Sequence, residues 1–131
     1  MSHYLLDTNH VSHLLQGHPL LSSRIQQSNG SFGISMTILG ELYFAAYASQ
    51  RTQKNLMAIQ NFLPDVTLWP YDDAAAEEFG RIQAEQKAKG RPIPALDAQI
   101  AAVARVNQLT ILTADHHFQF IANLKLENWL V

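Results

Sequence analysis

The chain has 131 residues, of which 47% are hydrophobic and 15% are charged; it contains no cysteine and its formal net charge is −2. The length predicts one domain over residues 1–131, and the absence of thiols excludes disulfides, a cysteine nucleophile and a zinc–thiolate site. No segment has the pattern of a signal peptide or the ~20 apolar residues of a membrane span, so we expect a cytoplasmic protein without a membrane partner. The small negative charge gives no overall attraction to nucleic acid, so such a contact would need a local patch or bound cations.

Apolar runs and turn residues predict alternating strands and helices. Gly17, Pro64 and Gly90 mark helix ends, Pro19 opens a helix, and Asp73 can cap another. In chain order we predict strand 4–6, helix 11–15, a helix from 19 to the turn at 29–30, strand 32–35, helices 37–47 and 52–63, strand 66–69, helix 74–89, helix 95–106, strand 110–112 and a short strand 124–126.

This alternation indicates the fold class. Parallel strands need long crossovers, so strands that alternate with helices predict an α/β fold with a mainly parallel sheet of four to five strands flanked by helices. The strand order stays open. In such open sheets the C-terminal ends of the strands and the N-terminal ends of the following helices share one edge, where ligands bind.

Four carboxylates map to that predicted edge although they are far apart in sequence. Asp7 is the only acidic or basic residue from 1 to 15 apart from histidine, and it follows the first strand. Glu41 is the only charge in the apolar helix 37–47, and Asp97 stands alone in the first turn of helix 95–106. Asp115 follows strand 110–112. We therefore expect the four side chains to converge.

Gathered carboxylates repel one another, and an unpaired buried charge is costly. No Lys or Arg lies within a helical turn of any of the four in sequence. A hard divalent cation with oxygen ligands, Mg²⁺ or Mn²⁺, is the simplest counter-charge. One or two ions would fit, and a pair would stabilise both the attacking and the leaving oxygen of a phosphodiester cleavage.

Each carboxylate also has an ordinary structural explanation. Asp7 could be a helix cap, Asp97 could complement a helix dipole, and Asp115 could be a turn residue. Glu41 has no capping role one turn into its helix, so its alternative is a surface position. The coincidence of all four on one edge favours the metal site.

At this point the motifs are recognisable, and the chain resembles the PIN-domain nucleases, most closely the VapC-type toxins of bacterial toxin-antitoxin pairs. The resemblance spans nearly the whole chain, and its motifs are Leu5-Leu6-Asp7-Thr8-Asn9, Gly40-Glu41-Leu42, Asp97-Ala98-Gln99-Ile100-Ala101-Ala102 and Leu112-Thr113-Ala114-Asp115. The final 124–129 segment is also similar to the family's tail.

The resemblance implies a function and a set of ligands. It implies a metal-dependent endoribonuclease, the toxin of a type II pair, with RNA as substrate. The metal ligands would be Asp7, Glu41, Asp97 and Asp115, supported by Asn9 and Thr113 and less directly by Thr8 and Ser35. The implied protein partners are a VapB-type antitoxin, whose C-terminal segment blocks the acidic site, and a second copy of the chain.

His117 is a departure from the resemblance, because many relatives carry an acid at this position. Asp115 must then be the last carboxylate alone. His117 could bind a phosphate or move a proton, although a surface role is the simpler interpretation. His10 and His13 have one-turn spacing, but without further ligands we expect a solvated helix face rather than a zinc site.

Two surfaces are candidates for partners. Lys87, Lys89 and Arg91 belong to a basic window before Asp97 and could contact RNA phosphates, or could be an ordinary solvated helix end. The segments 39–47 and 56–63 carry more apolar and aromatic residues than a small sheet needs, which suits a protein partner or plain core packing.

Three other functions fit parts of the sequence. A housekeeping RNA-processing nuclease would use the same ligands, and genomic context would separate it from a toxin. An inactive PIN-like RNA-binding module would lack metal-dependent cleavage. A receiver-like signalling domain expects paired acids after the first strand, where this chain has Asp7 followed by Thr8.

Overall fold

Five strands form one wholly parallel sheet, in the order β3-β2-β1-β4-β5, in the computed structural model, which describes residues 2–131. The strands are β1 (His3–Leu6), β2 (Ser31–Ser35), β3 (Thr67–Trp69), β4 (Thr110–Leu112) and β5 (Lys125–Glu127). The flanking helices are α1 (Thr8–Leu15), α2 (Pro19–Gln27), α3 (Met36–Ala48), α4 (Thr52–Phe62), α5 (Asp73–Ala88) and α6 (Ala95–Asn107). The predicted α/β class is confirmed.

The two central strands explain why the acidic edge lies where it does. Leu5, Leu6, Ile111 and Leu112 are all fully buried, as expected for parallel strands covered on both faces. β1 pairs with β4 in the register Leu6↔Leu112. The pairing continues one residue further, where the Asp7 amide donates to the Leu112 carbonyl at 3.0 Å. The two chain segments that follow β1 and β4 therefore leave the sheet side by side.

Capping residues set the ends of several helices. The side chain of Asp72, and not the predicted Asp73, caps α5, because its carboxylate accepts from the Ala75 amide at 3.0 Å. Asp73 is instead the first helical residue, too far along to cap its own helix. Gly90 follows α5 with φ +65°, the left-handed conformation in which glycine ends helices without strain.

One side-chain hydrogen bond ties together the two helices that carry Glu41 and Asp97. The Thr37 hydroxyl, in the first turn of α3, donates to Gln99 Oε1 of α6 at 2.9 Å. This contact fixes how α3 and α6 meet near the sheet edge. None of the helices within residues 2–131 is long and apolar enough to cross a membrane.

Two short 3₁₀ helices were not predicted from sequence, at Leu63–Asp65 and His116–Phe120. The second matters for the site, because it begins just after Asp115. Its Phe118 side chain is fully buried and anchors the turn in the core. The last strand also lies one residue later than predicted.

Candidate metal centre

The structure brings the four predicted carboxylates to the C-terminal edge of the sheet. Asp7 directly follows β1 and Asp115 follows β4, while Glu41 lies in the second turn of α3 and Asp97 in the first turn of α6. The charges of Glu41 and Asp97 both act on Asp7, and the charge of Asp115 acts on Asp97. The four side chains therefore form one electrostatically coupled group.

Asp7 is the buried member of the group, with 6% of its surface exposed. Its Oδ1 accepts from the Thr8 amide at 2.8 Å, and its Oδ2 accepts from the Thr113 hydroxyl at 2.7 Å. Burial raises the pKa of Asp7 above its ordinary 3.8, and the charges of Glu41 and Asp97 raise it further, whereas the bonds from Thr113 and Thr8 lower it. The ionised form is held in place but is short of positive charge.

Two threonines connect the carboxylates to the backbone and to each other. The Thr8 hydroxyl donates to Glu41 Oε1 at 2.8 Å. The Thr113 hydroxyl donates to Asp7 and accepts from the Asp115 amide at 2.9 Å, so one oxygen joins the ends of β1 and β4. Thr8 and Thr113 thus contact the acidic group, and their supporting role stays a prediction. Ser35 instead caps α3 by accepting from the Ile38 amide.

Asn9 makes a second connection between the two strand ends. Its Nδ2 donates to Asp7 Oδ2 at 3.4 Å, and its Oδ1 accepts from the Ala114 amide at 3.3 Å. A third partner is the His10 ring, whose Nδ1 lies 2.8 Å from the same Oδ1. Asn9 is therefore held from both sides while it faces Asp7.

His10 was expected on a solvated helix face, and this prediction is wrong. The ring is fully buried, and its Nε2 accepts from the Trp129 amide at 3.1 Å. The hydrogen must then be on Nδ1, which donates to Asn9. Burial and the neighbouring His13 and His18 lower the pKa of His10 to about 4. Both ring nitrogens have partners, so His10 and His13 do not form a zinc pair, and His13 alone is exposed.

The outer half of the acidic group is more exposed to solvent than Asp7. Its members are Asp97 and Asp115, both half-buried, and His117, with 49% of its side chain exposed. His117 Nδ1 lies 2.9 Å from Asp97 Oδ2 and 3.1 Å from Asp115 Oδ1. Burial raises the pKa of Asp97 and the hydrogen bond from His117 lowers it, while Asp115 raises it. The same hydrogen bond to Asp97, with the charge of Asp115, raises the pKa of His117.

Asp115 also performs the ordinary role that was considered for it. Its carboxylate caps the following 3₁₀ helix by accepting from the His117 amide at 2.9 Å. Asp7 likewise caps α1 through the Thr8 amide. Capping and membership of the acidic group are therefore compatible, because one carboxylate has several lone pairs to offer.

The three candidate phosphate-binding residues lie on exposed surface, and only Arg91 has a contact that relates it to the acidic edge. Its guanidinium stacks over the Phe120 ring at 4.4 Å, at the end of the 3₁₀ helix that begins at His116. Lys87 and Lys89 end α5 and make no hydrogen bond or ion pair with the carboxylates in the part of the chain that the structure describes.

The apolar excess noted in sequence is partly on the surface. Phe44 and Tyr47 of α3 are 75% and 67% exposed, whereas Phe62 belongs to the core. A groove of about 590 Å³ runs between α1, α3 and α4, and its lining includes Leu15, Ala45 and Lys54. Core packing therefore explains Phe62 but not the two exposed aromatic rings.

The donor set fits a divalent cation. One donor atom each from Asp97, Asp115 and His117 lies within 4.8 Å of the others. Asp7 and Glu41 are not part of this close cluster, although the charges of Glu41 and Asp97 both act on Asp7. Across residues 2–131, no Lys or Arg forms an ion pair with any of the four carboxylates. Oxygen donors with excess negative charge are what Mg²⁺ and Mn²⁺ prefer.

Comparison with known proteins identifies the family of the chain. The PIN domain family model matches residues 4–124. Ribonuclease VapC2 of Haemophilus influenzae is 34% identical over 99% of this chain and 100% of its own length. The tRNA(fMet)-specific endonuclease VapC of Shigella flexneri is 34% identical over 98% of this chain and 99% of its own length.

Solved structures give the same result at the level of the fold. DNA-bound VapBC from Salmonella typhimurium superposes with a TM-score of 0.91 at 29% identity, covering 98% of this chain and 99% of that one. VapBC2 from Rickettsia felis, bound to a DNA fragment from its promoter, has a TM-score of 0.90 at 27% identity, with 97% and 98% covered. The chain belongs to the PIN-domain family, within its VapC group.

Proposed function

We propose that this chain is a metal-dependent endoribonuclease that acts in the cytoplasm as the toxin of a toxin-antitoxin pair. The observation that carries the proposal is the group of four carboxylates at one sheet edge, one of them buried, with no Lys or Arg paired to them within residues 2–131. Such a group is unfavourable unless a cation joins it.

Asp7, Glu41, Asp97 and Asp115 would hold one or two Mg²⁺ or Mn²⁺ ions. When bound, such an ion polarises a phosphodiester oxygen and lowers the pKa of a bound water. The chain's own contribution is to hold its donors in fixed positions. Thr8 orients Glu41, and the hydroxyl of Thr113 orients Asp7 while it holds the backbone of Asp115.

RNA is the proposed substrate because both curated relatives described above are named as RNA-cleaving enzymes. Arg91 is the best placed of the basic candidates, since it stacks beside the 3₁₀ helix that carries His117. We propose that Arg91, with Lys87 and Lys89, contacts the phosphates that flank the cleaved bond.

An antitoxin of the VapB type is the proposed protein partner, supported by the solved relatives, which are VapBC proteins. Its segment would lie in the groove between α1, α3 and α4, whose lining includes Leu15 and Ala45. The remaining exposed apolar surface suits a homodimer.

The decisive experiment compares the wild type with Asp97→Asn, which keeps the size of the side chain and removes its charge. Both proteins are incubated with an RNA panel that includes initiator tRNA, with Mg²⁺, with Mn²⁺ or with EDTA. We expect cleavage by the wild type with either metal, none with EDTA, and a loss of roughly a hundredfold or more in the variant.

Asp65→Asn is the matched control, because Asp65 is exposed in the Leu63–Asp65 3₁₀ helix. It should cleave as the wild type does. Equal cleavage by the wild type and Asp97→Asn, or cleavage that persists in EDTA, would exclude the proposed mechanism.

A further inference from the structure

His117 presents one nitrogen to two carboxylates at once. Nδ1 lies 2.9 Å from Asp97 Oδ2 and 3.1 Å from Asp115 Oδ1. The residue is anchored on both sides: its amide donates to Asp115 Oδ1 at 2.9 Å, and the next residue, Phe118, is fully buried. The position of this imidazole is therefore set by the fold although its ring is half exposed.

These separations match those between ligands of a common ion. Two donors at right angles, each about 2.1 Å from an ion, are about 3.0 Å apart, and donors opposite each other are about 4.2 Å apart. The three donor atoms of Asp97, Asp115 and His117 lie within 4.8 Å of one another. Only a small adjustment would place all three around one ion.

We propose that His117 Nδ1 is a direct ligand of the ion at this edge and that it shifts the preference of the site from Mg²⁺ toward first-row transition ions such as Mn²⁺ and Co²⁺. The inference rests on the proposed function only in placing an ion beside Asp97. If the ring is protonated, the ion takes the place of the Nδ1 hydrogen, which is released as a proton, and the other hydrogen stays on Nε2. A neutral ring binds the ion through Nδ1 with its single hydrogen on Nε2 and releases no proton.

The chemical reason is the type of donor. Mg²⁺ takes oxygen ligands and keeps much of its water, whereas imidazole nitrogen is a good ligand for first-row transition ions. A site of carboxylates alone discriminates weakly between Mg²⁺ and Mn²⁺. Replacing one oxygen with a fixed nitrogen weakens Mg²⁺ relative to Mn²⁺ and Co²⁺, because only the latter two gain from the softer donor.

The competing role for His117 is that of a protein cation that occupies the place of the ion. In that arrangement a protonated ring neutralises Asp97 and Asp115 and must be displaced before a metal binds. The two roles predict opposite changes when the ring is removed: a ligand leaves a weaker site for Mn²⁺, whereas a competing cation leaves a stronger site for every ion.

The test uses the full chain as wild type, His117→Ala, His117→Asn and His117→Asp, with His116→Ala as the matched control. His116 is the adjacent exposed histidine of the same 3₁₀ helix. Dissociation constants for Mg²⁺, Mn²⁺ and Co²⁺ are measured by calorimetry. Pulsed EPR of bound Mn²⁺ detects the nuclear coupling of a directly bound imidazole nitrogen, which is independent of any cleavage assay.

We expect the nitrogen coupling in the wild type and in His116→Ala, and its loss in all three His117 variants. The ratio of the Mg²⁺ to the Mn²⁺ dissociation constant should fall by about tenfold in the His117 variants. His117→Asn keeps a planar polar group near the position of Nδ1, so its result stands even if His117→Ala is poorly folded.

An unchanged ratio, or nitrogen coupling that survives in the variants, overturns the inference, and so does tighter binding of all ions by His117→Ala. In each of these cases RNA cleavage by the wild type would leave the proposed function intact. If no protein of the series binds any ion, the inference and the proposed metal-dependent function fail together.

Discussion

The acidic edge has two halves that are built differently. In the inner half, Asp7 is buried and accepts hydrogen bonds from Thr8 and Thr113, all of them from uncharged donors. In the outer half, Asp97 and Asp115 are partly exposed and share a histidine that can itself carry positive charge. One half lacks a cation of its own, and the other half includes a side chain that can become one.

The two halves therefore differ in how firmly their carboxylates are positioned and in how the negative charges are balanced. The inner carboxylate is fixed before any ion arrives, at a cost in stability that the uncharged donors only partly offset. The outer carboxylates can be solvated by water and can pair with His117, so they are less costly to the fold. Removing charge from the inner half should therefore favour folding and oppose function, whereas changes in the outer half should alter ion binding with little effect on stability.

Asp7→Asn should have the largest effect, and it should lower the cleavage activity while it raises the stability of the fold. Cleavage is expected to fall by roughly a hundredfold or more. The metal-free variant should nevertheless unfold at higher urea than the wild type at pH 7. The pKa of Asp7 in the folded state is raised above its ordinary 3.8. Between the ordinary pKa and the raised one, the folded chain keeps a proton that the unfolded chain has lost. Stability therefore falls as the pH rises through this interval, and above it the ionised carboxylate opposes folding.

Urea titrations of the wild type, Asp7→Asn and the exposed control Asp65→Asn measure this effect directly. Asp65→Asn should match the wild type in both assays. A metal-free Asp7→Asn protein that is less stable than the wild type would show that the hydrogen bonds of Asp7 outweigh its burial, and the contrast between the two halves would not hold.

Thr113→Val tests the link between the halves, because the Thr113 hydroxyl contacts both Asp7 and the amide of Asp115. The near-isosteric change leaves both groups short of a partner. We expect a loss of about 1–3 kcal/mol in the free energy of unfolding and a drop of about tenfold in cleavage and in Mn²⁺ affinity.

Thr110→Val is the control for shape, since Thr110 is a buried threonine of β4, the strand that leads to Thr113. It should keep wild-type cleavage. Equal losses in the two variants would assign the effect of Thr113→Val to general disturbance of β4 instead of to the hydroxyl.

His10→Gln addresses the pH dependence of the inner half. The pKa of His10 is lowered from 6.5 to about 4. As the pH falls, the unfolded chain therefore takes up a proton on His10 at a higher pH than the folded chain does. Wild-type stability should therefore be full above pH 6.5, fall as the pH drops toward 4, and level off below it. The variant should show a shallower fall over this interval.

Urea midpoints measured at intervals through this pH range show how steeply the stability of each protein falls. His116→Gln is the exposed-histidine control. Parallel pH profiles for the wild type and His10→Gln would show that acid destabilisation comes from other groups.

Charge reversal at Lys87, Lys89 and Arg91 should have the smallest effect and should leave the metal centre unchanged. If these side chains bind phosphates, RNA affinity weakens, and the slope of log affinity against log salt becomes shallower by about 0.7 for each phosphate that is no longer neutralised. Metal affinity should not change. An unaltered salt slope would remove this surface from the proposed RNA-binding face.

Most of the fold could be predicted, because its signals are local. Apolar runs ended by Gly17, Pro64 or Gly90 predicted the helices and strands to within a few residues. The strand order could not be predicted, because the strands are only three to five residues long and nothing in the sequence states which strand pairs with which. The cap of α5 was misplaced by one position because Asp72 and Asp73 are adjacent and equally suitable.

The convergence of the carboxylates at the sheet edge follows from parallel topology, which is why four residues could be named from sequence. His10 and His117 could not be interpreted in the same way. His10 is buried, and its Nε2 accepts a hydrogen bond from the Trp129 amide, 119 positions away in the chain. The contacts of His117 depend on a 3₁₀ helix that is held by a core phenylalanine and that no periodic pattern indicates.

The strand order has a consequence for when the acidic edge can exist. Asp7 is synthesised well before its partner Thr113, which is 106 positions later, and β4 must lie beside β1 before the two can meet. Contacts of such sequence separation form late in folding. A growing chain on the ribosome therefore carries no complete acidic edge until β4 and Thr113 have been made, so a shorter nascent chain holds no finished version of the site.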